Sequence, residues 1–143
     1  MSFDLPRPFN ILLADDDEDD RSFFKEALRE VRPEATLNEV ENGVELMSRL
    51  NRTSLPDLLF LDLNMPLKNG YECLFEIHSN PRLRRLPVII LSTSSVSEHV
   101  NDVLKDLACL YLKKPWSFDE LKTQLRYALS LDFARERCLE ERN

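Results

Sequence analysis

The stretch Leu58-Leu59-Phe60-Leu61-Asp62 indicates the fold of this chain. Four consecutive apolar residues, bounded by polar ones, are typical of a strand that is buried on both faces, as the strands of a parallel sheet are. The apolar run stops at a carboxylate. We therefore predict a central strand at 58–61, with Asp62 at its carboxyl end.

On both sides of this strand, strand-type and helix-type patterns alternate along the chain. Apolar runs predict further strands at 10–14, 36–40, 88–91 and 110–112. Apolar residues at helical spacing predict five helices, at about 23–31, 44–50, 70–79, 100–107 and 118–129. Strict alternation of this kind predicts an α/β fold, a doubly wound parallel sheet with helices on both faces.

Length and composition limit the classes of protein that the chain can belong to. Its 143 residues suit one domain, and 43% hydrophobic with 31% charged residues is a globular balance without a membrane-spanning run. The net charge of -7 opposes binding to nucleic acid. The N-terminus has no secretory signal, so we expect a cytoplasmic protein.

Glycine and cysteine usage excludes several kinds of site. The two glycines, Gly43 and Gly70, are too few and too far apart for a phosphate-binding loop, a dinucleotide fingerprint or a GxSxG elbow. The three cysteines (Cys73, Cys109 and Cys138) form no CxxC pair, which argues against structural zinc and a disulfide framework. We expect all three to be reduced.

Polar residues follow four of the predicted strands. These are Asp15 and Asp16, then Asp62, then Ser92, then Lys114. In doubly wound sheets the carboxyl ends of the strands share one edge, where ligands bind. Three adjacent carboxylates call for a cation, and oxygen ligands suit Mg²⁺. An ammonium and a hydroxyl beside them can hold the oxygens of a phosphoryl group, and a carboxylate can act as nucleophile.

At these positions the chain resembles the response regulator receiver domains of two-component signalling, over about residues 10–129. The resemblance implies a flavodoxin-like sheet of order 2-1-3-4-5. It also implies that Asp62, in Leu61-Asp62-Leu63-Asn64-Met65-Pro66, accepts a phosphoryl group from a histidine kinase. The Mg²⁺ ligands would be Asp15, Asp16, Asp62 and the backbone carbonyl of Asn64.

The resemblance assigns roles to three further residues. Lys114, before Pro115, would hold a phosphoryl oxygen, and Ser92 with Tyr111 would form the switch pair of receivers. The signal would leave through the face made by predicted helix four, strand five and helix five. Such a protein is not an enzyme towards other substrates, because it catalyses only its own phosphorylation and dephosphorylation.

Other interpretations of the same residues remain open at this point. A receiver can also act as a phosphorelay shuttle that passes the phosphoryl group to a histidine phosphotransfer protein. Haloacid-dehalogenase-type phosphatases share a nucleophilic aspartate on a similar sheet, but they need Asp-x-Asp, and here Asn64 replaces the second acid. Within the receivers, residues 80–87 and 92–94 resemble the single-domain regulators of bacterial phytochromes. The expected partners are a sensor histidine kinase and a downstream protein, and neither nucleic acid nor a membrane is expected.

The C-terminal segment is expected to form an extension beyond the domain core. We predict a single receiver domain over 1–143, with a core at about 10–129 and a helical extension at about 130–143. No Gly or Pro interrupts 117–142, so helix five is expected to be unusually long. It is expected to support a homodimer or another partner contact, and the alternative is a frayed chain end.

Overall fold

The computed structural model describes residues 9–52, 54–93 and 107–131. Five strands form one parallel sheet in the order β2-β1-β3-β4-β5. The strands are β1 (Asn10–Ala14), β2 (Thr36–Val40), β3 (Leu58–Leu61), β4 (Val88–Ser92) and β5 (Leu110–Lys113). The predicted α/β architecture and strand order are confirmed.

Four helices lie within the described residues and connect or follow the strands. They are α1 (Glu18–Val31), α2 (Gly43–Arg52), α3 (Gly70–Ser79) and α4 (Phe118–Ser130). The last of these, α4, is the predicted fifth helix. The predicted fourth helix, 100–107, lies outside the described residues except for Leu107. None of the described helices combines the length and the apolar character that a membrane crossing needs.

The sheet separates two apolar layers, and the side chains of β3 show how. Leu59 and Leu61 join a cluster with α2 and α3 on one face, while Leu58 and Phe60 join a cluster with α1 and α4 on the other. This follows from the twofold periodicity of a strand. Phe60 meets Phe24 of α1 edge to face, with ring centroids 4.9 Å apart. Burial on both faces explains why β3 is continuously apolar.

Both glycines of the chain hold the loop between β3 and α3. A Cβ atom at Gly43 would lie 1.9 Å from the carbonyl oxygen of Lys68, and one at Gly70 would lie 2.5 Å from the carbonyl oxygen of Asp62. Neither glycine has a positive φ. Close backbone approach is therefore what requires glycine at these positions.

The same loop contains a strained turn at Leu67. Its φ is 69°, and the amide of Lys68 donates to the carbonyl of Pro66 at 2.7 Å. A turn of three residues that is closed by a hydrogen bond between the first and the third, with a positive φ at the central residue, is a γ-turn of the kind that is rare in proteins. The loop that follows the phosphoacceptor candidate thus has a tightly specified backbone.

The end of α4 differs from the sequence-based expectation. The helix ends at Ser130, and Leu131 is extended (φ −77°, ψ 144°). The hydroxyl of Ser130 donates to the carbonyl of Tyr127 at 2.6 Å, so the Leu131 amide bonds to Ala128 instead, at 3.3 Å. A serine that bonds to its own helix backbone competes with helix continuation. The expected uninterrupted helix through 142 is therefore wrong at Leu131, and residues 132–143 lie outside the described part of the chain.

The cysteines follow the expectation only in part. Cys73 is a free, buried thiol, and burial is the main reason that its pKa is raised to about 11. Cys109 is disulfide-bonded, so the expectation that all three cysteines are reduced is wrong for this residue.

Candidate functional site

The polar residues at the strand ends meet at one edge of the sheet, as predicted. Asp15 follows β1, Asp62 follows β3, Ser92 ends β4 and Lys114 follows β5. Asp15, Asp62 and Ser92 are the buried polar residues of the described chain. Because the strands are parallel, their carboxyl ends lie along one edge of the sheet. This places four side chains from distant parts of the sequence in one small site.

Asp62 receives hydrogen bonds on both carboxylate oxygens. Its Oδ1 accepts from the hydroxyl of Ser92 at 2.9 Å and from the backbone amide of Asn64 at 3.1 Å. Its Oδ2 accepts from the ammonium of Lys114 at 3.0 Å. These contacts fix the orientation of the carboxylate while it remains 5% exposed.

Lys114 contacts three carboxylates at once. Its Nζ lies 2.7 Å from Asp15 Oδ2, 2.7 Å from Asp20 Oδ2 and 3.0 Å from Asp62 Oδ2. Burial alone would lower the pKa of Lys114, but hydrogen bonds to Asp15 and Asp20 and the negative charges of Asp15 and Asp62 outweigh it and raise this pKa. The lysine is therefore a fixed positive charge at the centre of an acidic site.

Asp15 is the carboxylate most affected by its surroundings. Burial raises its pKa from 3.8 to about 6, against the lowering effect of the hydrogen bonds from Lys114 and from the Asp17 amide. The amide of Asp17 donates to Asp15 Oδ1 at 2.9 Å, and Arg21 donates to the Asp15 carbonyl at 2.8 Å. The residue is thus held by its neighbours, and burial makes its negative charge costly.

The carboxylates fit a divalent metal ion. One oxygen each from Asp15, Asp16 and Asp62 can be chosen so that all lie within 4.8 Å of one another, and Asp16 is exposed to solvent. A set of carboxylate oxygens with one solvent-facing ligand suits Mg²⁺, which keeps several waters. The role of the Asn64 carbonyl stays a prediction.

Tyr111 lies where the sequence places the second switch residue. It is partly buried on β5 and packs against the apolar cluster on the α2 and α3 side of the sheet. Burial raises its pKa, and so do the charges of Tyr71 and Asp62. Its role as a switch residue stays a prediction.

Sequence reasoning missed two residues at this site. Asp20 binds Lys114, and Arg21 bonds to the Asp15 carbonyl and to Glu39 at 3.2 Å. Asp20 lies in the acidic first turn of α1, where the sequence alone indicates only a favourable interaction with the helix dipole. No spacing in the sequence distinguishes Asp20 from the neighbouring acids of this turn, because Asp16 precedes the N-cap Asp17 and lies outside the helix.

The basic loop before β4 has a structural role. The guanidinium of Arg82 donates to the carbonyl of Leu50 at 2.7 Å, close to the end of α2. Helix carbonyls near a C-terminus lack intrahelical partners and favour such a donor.

Comparison with protein families assigns the chain. Residues 11–126 match the family described as the response regulator receiver domain. The chain is a receiver domain. Receivers accept a phosphoryl group on an aspartate in a reaction that uses Mg²⁺, and they interact with sensor histidine kinases.

Individual relatives of the receiver are consistent with this assignment. It is 35% identical over 106 residues to response regulator Rcp1 of Synechocystis sp., covering 70% of this chain and 72% of that protein. The crystal structure of the phosphorylated cyanobacterial phytochrome response regulator RcpA superposes with a TM-score of 0.77 at 34% identity, over 85% of this chain and 91% of that one. The Mn²⁺-bound form of Rcp1 has a TM-score of 0.77 at 31% identity, over 87% and 94%.

Proposed function

We propose that Asp62 is the phosphoacceptor of this receiver and that a phosphohistidine of a sensor kinase is the donor. The observation that carries this is the set of contacts around Asp62: a hydroxyl, a backbone amide and an ammonium converge on one carboxylate at a strand end. Hydrogen bonds of this kind orient a nucleophile and are in place before the reaction begins.

The proposed step is a displacement at phosphorus. One oxygen of Asp62 forms a bond to the phosphorus atom while the bond from phosphorus to the imidazole nitrogen breaks, and the electron pair stays on the imidazole. Lys114 and Ser92 then donate to the oxygens of the transferred group. Asp15, Asp16 and Asp62 would hold Mg²⁺, which would supply further positive charge to the same oxygens. The receiver itself provides the groups for this transfer and for the later hydrolysis.

The proposed output is a change at Ser92 and Tyr111. The hydroxyl of Ser92 already contacts Asp62, so on phosphorylation it moves only from the carboxylate to the phosphoryl oxygens. Tyr111 follows on the neighbouring strand, since Ile90 pairs with Tyr111 and Ser92 with Lys113. The output surface is the face of predicted helix four, β5 and α4. The downstream protein and the cytoplasmic location stay predictions.

Intact-mass measurement after incubation with acetyl phosphate and Mg²⁺ tests the phosphoacceptor. We expect one phosphoryl group on the natural protein and none on Asp62→Asn. Asp19→Asn is a matched control, because Asp19 is exposed and the change in charge is the same. Undiminished labelling of Asp62→Asn would show that another residue is the acceptor. Profiling against purified histidine kinases then identifies the donor.

A further inference from the structure

We infer that Asp20 is a positioning residue for phosphoryl transfer, which holds the ammonium of Lys114 at the phosphoacceptor while the other two carboxylates around it change roles. The inference rests on the proposed function of Asp62. It starts from a contact between α1 and the end of β5: Asp20 Oδ2 lies 2.7 Å from Lys114 Nζ.

The ammonium of Lys114 has a limited number of hydrogen-bond donors, and this limits how many oxygens it can bind at once. An ammonium has three N–H donors, and Lys114 has three carboxylate neighbours, Asp15, Asp20 and Asp62, all within 3.0 Å. A phosphoryl oxygen can accept a hydrogen bond from Lys114 only if one of these three carboxylates loses its hydrogen bond to the ammonium. The transfer therefore redistributes the contacts of the lysine.

Two of the three neighbours have another role in the reaction. Asp62 becomes the acyl phosphate and loses its negative charge, and Asp15 belongs to the carboxylate group that fits a metal. Asp20 has neither role. It is the carboxylate that can keep its bond to Lys114 before, during and after transfer.

The backbone around Asp20 is well suited to an anchor. Its amide donates to the side chain of Asp17, the N-cap of α1, at 3.0 Å, and the amide of Arg21 donates to the Asp17 carbonyl at 3.0 Å. A capped first turn has little conformational freedom. The Asp20 side chain is 36% exposed and the Lys114 side chain 10% exposed, so the bond joins a rigid helix start to a buried ammonium.

Acetyl phosphate kinetics with Mg²⁺ test the inference on the full chain. For Asp20→Asn we expect a maximal phosphorylation rate about threefold to tenfold lower, the size expected for losing one ordinary hydrogen bond at a partly exposed side chain. The KM for acetyl phosphate is expected to change by less than about twofold, since Asp20 does not contact the donor. The control Asp19→Asn removes the same charge from the same turn and should stay within about twofold of the natural rate. Asp20→Glu, which keeps a carboxylate, should recover part of the loss.

A double-mutant cycle separates positioning from a general structural role. If Asp20 acts through Lys114, Asp20→Asn should have little further effect in a Lys114→Ala background, whereas a structural defect would act in both backgrounds. Thermal melts of all variants show that they are folded. An equal loss in both backgrounds would overturn the inference, and so would a faster rate for Asp20→Asn, because Asp20 would then compete with the phosphoryl group. Labelling of Asp62→Asn would instead refute the proposed function, so the two failures are distinguishable.

Discussion

The charged residues of this receiver site depend on one another, because several carboxylates surround one ammonium. The ammonium of Lys114 contacts three carboxylates, from Asp15, Asp20 and Asp62, and a carboxylate oxygen of Asp16 lies within 4.8 Å of Asp15 and Asp62. A buried charge is stabilising only when it is paired and hydrogen-bonded. The site carries more negative than positive charge, and burial raises the pKa of its most deeply buried carboxylate, Asp15.

The raised pKa of Asp15 predicts how stability depends on pH without Mg²⁺. Its folded-state pKa of about 6 exceeds its ordinary 3.8, so between these values the folded protein binds more protons than the unfolded chain. This residue therefore makes the free energy of unfolding larger as pH falls from 7 to 4, by up to about 3 kcal/mol. Chemical denaturation of the natural protein and of Asp15→Asn, in EDTA across this pH range, should show that contribution as the difference between the two curves. Parallel curves would contradict it.

At this level the sequence predicted the strand-end residues but not all of their partners. Asp15, Asp16, Asp62, Ser92 and Lys114 could be brought together because strand ends share an edge whatever the details of packing. Asp20 could not be distinguished from Asp19, because both are acids in one helical turn. Only the rotation of α1 against the sheet decides which of them reaches Lys114.

Among the secondary-structure elements, the loop between β3 and α3 is the most constrained. Gly43→Ala should lower the free energy of unfolding by about 2 to 3 kcal/mol, because the new methyl group would overlap the Lys68 carbonyl and force the backbone apart. Urea denaturation measures this. Val44→Ala, at the half-exposed next position of α2, is the control and should cost less than about 1 kcal/mol. Equal effects of the two substitutions would show that the close approach is not needed.

The segment after β5 offers an optical report of the proposed switch. Trp116 is the single tryptophan of the chain and is 97% exposed, two residues after Lys114. We expect beryllofluoride with Mg²⁺ to change its fluorescence, because the contacts of Lys114 and Tyr111 are redistributed when Asp62 is occupied. Asp62→Asn should give no change. A response confined to the amides of the β3–α3 loop in NMR spectra would reject the coupling.

The elements themselves were predicted closely where a buried pattern was continuous. Strand β3 and helix α3 have the expected bounds, and β4 and β5 are each one residue longer than expected. The first helix begins earlier than its apolar residues, because its first turn is acidic and capped by Asp17. The end of α4 could not be predicted, since apolar periodicity continues past Ser130 and only the bond of its hydroxyl to Tyr127 shows the interruption.

For the molecule as a whole, we expect Mg²⁺ to stabilise the fold. The ion relieves repulsion among Asp15, Asp16 and Asp62 and binds only where these residues meet. At ten times the dissociation constant the stabilisation should be roughly 1.4 kcal/mol. Thermal melts with and without Mg²⁺ measure it, with Asp16→Asn expected to lose the effect and Asp19→Asn to keep it. A midpoint that millimolar Mg²⁺ leaves unchanged would count against the metal site.

The predicted homodimer through helix α4 and the C-terminal segment that follows it also concerns the whole molecule. Tyr127, on α4, is half-exposed, and Phe133 and Leu139 continue the sequence beyond the described residues. We expect truncation after Leu131 to lower the mass measured by light scattering. A monomeric mass for both proteins would refute self-association through this segment.

The contacts of the two glycines also have a genetic consequence. Every missense change at a glycine codon adds a Cβ atom, and at positions 43 and 70 that atom would meet the backbone of the phosphoacceptor loop. A screen for loss of signalling should therefore recover many alleles at both codons. This holds even for position 43, which lies in α2 and not in the loop between β3 and α3 that its substitution would disturb. Second-site suppressors of the codon 43 alleles should map around position 68, where the displaced carbonyl lies.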